Sequence, residues 1–184
     1  MFQRARQYAF VPFVAVAAAL IAPEAASASD REQKFFESVQ GQWSGPGEIV
    51  AGKYKGTKFV CNFEGTTPEG KVGMTLDGGC RVGMFTQNMS ASVERKAPGE
   101  YRGTFMDGAA GKGLDVTGGT VKGKKVVFSL VRNALNGAML AHLSDKNTMN
   151  ITVSVRVAEE MVPVIGMNLK RTDTGPVGSV AVAR

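Results

Sequence analysis

From residue 57 onward, apolar and polar side chains alternate in short runs. The clearest is "MNITVSVRV", where Met149, Ile151, Val153, Val155 and Val157 fall on one side and Asn150, Thr152, Ser154 and Arg156 on the other. That period of two marks a strand with one buried face. The same alternation groups Phe59, Cys61 and Phe63 in "KFVCNFE" and Val72, Met74 and Leu76 in "KVGMTL". It also groups Tyr101 with Phe105 in "GEYRGTF", and Val126, Phe128 and Leu130 in "VVFSLVR". Turn-forming clusters separate the runs: "TTPEG", "DGG", "KAPGE", "DGAAGKG", "TGG", "KGKK", "RNALNG" and "SDKN". Helical spacing occurs in "DREQKFFESVQ", residues 30–40, with acidic residues first and Phe35, Phe36 and Val39 on one face. It predicts one short amphipathic helix ending at Gly41.

About eight to ten short strands joined by hairpin-length connections imply an all-β antiparallel meander. There is no room for crossover helices, and a flat sheet of that width leaves edges open. The sheet must therefore curl into an up-and-down barrel or fold into a sandwich. No fixed period recurs, which excludes a repeat architecture. One domain, residues 29–172, is expected, followed by a small-residue tail, 173–184, "DTGPVGSVAVAR".

Residues 1–28 read as a secretory signal peptide. Arg4 and Arg6 form a basic leader, an apolar stretch runs from Tyr8 to Ala22, and Ala26-Ser27-Ala28 precedes a cut before Ser29. The expected location is therefore periplasmic or secreted. In an oxidising space Cys61 and Cys80, the two cysteines of the chain, are expected to form a structural disulfide. If "KVGMTL" were a strand ended by "DGG", Cys80 would lie two strands from Cys61, roughly 10 Å away and too far to bridge. Either residues 66–79 are then largely an excursion between neighbouring cysteine strands, or a bend brings the cysteines together. The net charge of +6 is spread along the chain without a dense cluster. It predicts a solvated surface, with no nucleic-acid partner and no stable membrane insertion.

The single tryptophan lies in "GQWSGPGEIV", residues 41–50. If Trp43 points inward, so do Gly45, Gly47 and Ile49, and the glycines leave space beside the indole. Alternation in "VIGMNLKR" places Arg171 on the same side as Ile165, Met167 and Leu169. A guanidinium there is costly unless stacked or hydrogen-bonded, and Trp43 is a suitable platform. The alternative leaves Trp43 as a plain core residue, with Arg171 in solvent past the strand end. With its short N-terminal helix, Gly41-Gln42-Trp43 on the first strand and a late-strand Arg171, the chain resembles the calycins, the superfamily of lipocalins and fatty-acid-binding proteins. The resemblance implies a closed barrel plugged at the Trp43 end, with a ligand cavity at the other. The mid-chain Thr-Asp-Tyr of typical lipocalins is absent, and Ser44 stands where an aromatic often follows the tryptophan.

No catalytic constellation emerges, and the chain is read as a non-enzyme with no cofactor. His142 is the sole histidine, which excludes a histidine-cluster metal site within one chain. "HLSD", residues 142–145, is adjacency without triad geometry. "GAAGKG", residues 108–113, lacks the strand-then-helix setting of a phosphate loop. The methionines are scattered without Met-x-Met or Met-x-x-Met clusters, so they are read as flexible packing and not as copper ligands. Phe59, Phe63, Met74, Tyr101, Phe105, Phe128, Met149 and Met167 are the candidate lining of a cavity for a small hydrophobic molecule, in a carrier or sensor. Two alternatives remain. One is a module that binds a secreted or periplasmic protein, since Gly41 to Cys80 is similar to the front of secreted bacterial metalloprotease inhibitors. The other is a structural envelope role.

Overall fold

The computed structural model describes residues 24–106 and 113–172. The expected tail, most of the expected signal peptide and most of "GAAGKG" lie outside the described residues. One helix, α1 (Glu24–Ser38), precedes ten strands: β1 (Gly41–Ile49), β2 (Lys58–Thr66), β3 (Gly73–Val82), β4 (Phe85–Ala97) and β5 (Glu100–Met106), then β6 (Leu114–Lys122), β7 (Lys125–Arg132), β8 (Leu135–Leu143), β9 (Thr148–Val157) and β10 (Glu160–Arg171). Each strand pairs antiparallel with its neighbour in sequence, and β1 pairs with β10 to close the sheet. Closure removes both edges, which settles the choice between barrel and sandwich.

Two turn expectations are corrected. "DGG" lies inside β3, where Asp77, Gly78 and Gly79 pair with Ser90, Met89 and Asn88 of β4. "TGG" lies inside β6, where the register shifts between Val116 and Gly118. Because β3 runs unbroken from Gly73 to Val82, Cys80 sits directly opposite Cys61 on the adjacent β2, with Cα atoms 4.0 Å apart. The disulfide forms between neighbouring strands without a bend. Only residues 67–72 are an excursion.

The helix closes one end of the barrel. Phe35, Phe36 and Val39 turn inward and are buried, each contributing about 1.5–3 kcal/mol through removal from water. α1 begins at Glu24, earlier than expected, so the expected cleavage point falls within it. Its last turn carries no basic residue, and although Phe36 O and Glu37 O accept from Val39 N and Gln40 N, the carbonyls of residues 38–40 look to partners outside the helix. The barrel supplies both needs. Trp43 Nε1 donates to the Val39 carbonyl at 2.9 Å, Arg171 Nη2 donates to Ser38 O at 2.8 Å, and Arg171 Nη1 donates to Gln40 O. The guanidinium lies 4.3 Å from the centre of the indole, and Trp43 faces Arg171 across the β1–β10 seam. Arg171 Nε also reaches Lys146 O, in the β8–β9 turn, at 3.2 Å. The platform reading of Trp43 therefore holds, and the reading that left Arg171 in solvent does not.

The glycines beside the indole do not leave a void. A Cβ on Gly45 would lie 2.1 Å from Asn168 O, and one on Gly47 would lie 2.2 Å from the Phe59 ring. These positions let the β10 backbone and the Phe59 and Met167 side chains approach.

Arg171→Ala is expected to lower stability by about 1–3 kcal/mol through lost stacking and uncapped carbonyls. Arg156→Ala, at an exposed position on β9, should cost under about 0.5 kcal/mol in the same urea titration. Acrylamide should quench Trp43 poorly in the wild type and more readily in Arg171→Ala.

Candidate functional site

Burial falls off along the barrel axis. On β9, Met149 and Ile151 are buried, Val153 and Val155 are half-buried and Val157 is exposed. On β10, Leu169 is buried, whereas Met167 and Ile165 are only partly so. The interior is packed at the helix end and open at the other, where the β3–β4, β7–β8 and β9–β10 turns stand.

Two chambers that share part of their lining occupy this interior. The deep one, about 80 Å³, is lined only by apolar side chains, with Phe35 of α1 and Val39, just past its end, on its floor. The outer one, about 320 Å³, opens toward the mouth and is walled by Ile49, Phe59, Val82, Leu114 and Ile165, with Gln87 as the polar exception. Met89, Phe105, Met139, Val153 and Met167 border both chambers and form a waist between them. Unbranched thioethers can change rotamer at little cost, so this waist is the most adaptable layer of the interior. The disulfide lies in the wall beside it. Met89 Sδ is 3.4 Å from Cys80 Sγ and Met167 Sδ is 3.8 Å from Cys61 Sγ, as sulfur packing contacts, because the bonded cysteines carry no thiol proton.

Phe63, Met74, Phe128 and Met149 border the deep chamber, Phe59 the outer one, and Phe105 and Met167 both. Tyr101 is the exception. It is fully buried at the closed end, 5.9 Å from Phe36 and 5.4 Å from Phe128 between ring centres. Its hydroxyl faces the Glu32 carboxylate, which pairs with Arg95 Nε at 2.5 Å. Arg95 Nη1 also donates to Ser29 Oγ at 3.4 Å, tying β4 to the helix.

Met89 and Met139 are cavity residues that the alternation pattern missed. Met89 sits among Gln87, Asn88 and Ser90, and Met139 among small residues in "LNGAMLAHL". Neither segment shows the bulky alternation that identified the other strands. His142 lies on β8, whereas Ser144 Oγ, beyond its end, accepts from Asn150 Nδ2 at 2.7 Å. Among the described residues, no group of three or more His, Cys, Asp or Glu side chains is placed to hold a metal ion. No helix among them is long and apolar enough to cross a membrane.

The fold and site define a closed ten-stranded antiparallel barrel, plugged by a helix at one end and hollow toward the other. The crystal structure of Rv2717c from M. tuberculosis shares this fold, with a TM-score of 0.53 at 14% identity over 76% of this chain and 96% of that one. No family model matches the chain, and no match was found among curated proteins.

Burial, and then the neighbouring Glu32 charge, push the Tyr101 hydroxyl well above the ordinary phenol range. A phenol kept neutral in the folded state contributes stability that is full below its unfolded value, about 10, and is lost as the pH rises from there toward the raised folded value. Tyr101→Phe cannot ionise, so its stability should fall less steeply between pH 9 and 11. Urea denaturation of both proteins at several pH values measures the difference.

Proposed function

We propose that the protein is a non-catalytic carrier or sensor that holds one small apolar molecule inside the barrel, entering at the end opposite Trp43. The observation behind this reading is an apolar interior that is hollow toward its mouth yet sealed below by α1 and the Trp43–Arg171 pair. Small-molecule sites span roughly 300–1,000 Å³ and combine apolar walls with few polar groups. The outer chamber, at about 320 Å³, falls at the lower end of that range, and Gln87 is its one amide. The ligand class is therefore a compact hydrophobic molecule with at most a small polar end. A peptidase-inhibitor role is less well supported, because the N-terminal helix packs against the barrel base and does not project as a free binding element. We further propose an exported protein, on the strength of the basic-then-apolar leader and the disulfide.

N-phenyl-1-naphthylamine, an uncharged fluorophore, tests the cavity reading. It should bind saturably with enhanced emission, and Met139→Trp, which fills the waist, should weaken binding by at least about tenfold. Arg171→Ala, remote from the mouth, should leave affinity within about twofold. No enhancement, or equal binding by Met139→Trp, would refute the carrier reading. Mass spectrometry of organic extracts from natively purified protein should then identify the natural occupant.

For export, N-terminal sequencing of the native protein should give a start near Ser29. Met1 retained on membrane-bound protein would overturn that assignment.

A further inference from the structure

One side of the barrel mouth has a surface chemistry unlike the rest of the described surface. Because β2 pairs with β3, with Val60 opposite Arg81, the β1–β2 loop and the β3–β4 turn stand side by side. At their tips Met84 is 93% exposed, Phe85 80% and Tyr54 63%. Soluble chains seldom leave bulky apolar side chains so fully in water within a single cluster. Lys53, Lys55, Lys58 and Arg81 surround the cluster and are all exposed. Residues 50–60 and 80–90 contain no acidic side chain. The nearest carboxylate in register is Glu48, opposite Lys58. The turn on the other flank of the β1–β2 loop, β9–β10, differs and carries Glu159 and Glu160.

We infer that this basic lip docks on an anionic lipid surface, with Met84, Phe85 and Tyr54 entering the headgroup region and the four cations meeting the lipid charge. Charge complementarity decides the occupant. A symmetric contact with a second copy would set this basic lip against its like, whereas an anionic membrane offers both negative charge and an apolar layer beneath it. Tyr54 suits the boundary, with a ring that can sit at headgroup level, and Lys53 Nζ lies 5.5 Å from the centre of that ring. Val82 belongs to this lip and also to the wall of the outer chamber, so docking would set the cavity entrance against the lipid. The inference rests on exposed side chains and does not require the cavity to be filled.

Flotation with large unilamellar vesicles tests it on the full-length protein. Vesicles of phosphatidylglycerol and phosphatidylcholine should carry the protein upward, whereas pure phosphatidylcholine vesicles should carry at least about tenfold less. The double variant Met84→Asp, Phe85→Asp should lose binding to the anionic vesicles. Lys53→Glu and Lys55→Glu should each weaken it by about fivefold or more, and added salt should act in the same direction. Val127→Asp, at an exposed apolar site on β7 away from the mouth, should bind like the wild type. Circular dichroism confirms that each variant is folded, and N-phenyl-1-naphthylamine binding, measured without vesicles, tests the carrier reading separately. Absence of flotation with anionic vesicles, or equal flotation of the Met84/Phe85 variant, would overturn the inference. So would self-association in sedimentation that the same variant abolishes, since the lip would then belong to a second copy.

Discussion

The guanidinium of Arg171 holds together three parts of the chain that are far apart in sequence. It stacks on Trp43 of the first strand, caps carbonyls at the end of α1 and reaches the β8–β9 turn through Lys146 O. α1 ends with Ser38 O, which takes its partner from outside the helix, and with no cation of its own, while β10 ends with a cation that would be costly to bury alone. Each deficit answers the other. The positive charge also lies at the negative end of the helix dipole, where it is stabilising. The contact forms at the seam that turns a ten-stranded sheet into a barrel, so helix docking and barrel closure are coupled through one side chain.

Sealing one end determines what the other can be. The faces of Phe35, Phe36 and Val39 fill the base, but a helix of this length covers only one opening. Inward side chains above it become progressively less buried, as the series Met149, Ile151, Val153, Val155 and Val157 shows. The methionines divide along the same axis. Met74, Met89, Met139, Met149 and Met167 line the interior, whereas Met84, Met106 and Met161 are exposed.

Much of this was legible in the sequence wherever bulky side chains alternate. "MNITVSVRV", "VVFSLVR" and "KFVCNFE" became β9, β7 and β2 with the expected residues inward, and Phe35, Phe36 and Val39 are buried together as their spacing gives, although the helix stops at Ser38. Glycine was the weaker guide. "DGG" and "TGG" resemble turns yet continue strands, because in a tightly curved sheet a missing side chain also serves close backbone approach or a register shift. Reading "DGG" as a turn displaced Cys80 by one strand and made a direct cross-strand disulfide look geometrically difficult. The opposite error occurs at "VAEEM", where the chain reverses between β9 and β10 with Ala158 at φ 52° and no glycine, proline or asparagine to announce it. Tyr101 alternates correctly inward. Alternation gives a side and not a depth, and Tyr101 points into the helix-packed base below the chambers.

Depth is also what separates the cavity from the core. A barrel of eight strands has an interior that side chains can fill, and the width grows roughly in proportion to strand number. Two further strands widen this interior beyond what its residues fill near the mouth. Larger fixed-shape side chains could occupy that space, but the waist instead carries Met89, Met139 and Met167, flexible chains without a single required shape, of which Met89 and Met167 pack against the disulfide. A rigid frame closed by Arg171 thus encloses a deformable middle layer. In the carrier proposed above, such an arrangement would favour recognition by size and apolarity over recognition by a fixed set of hydrogen bonds, and the basic lip stands at the end of the barrel where the outer chamber opens.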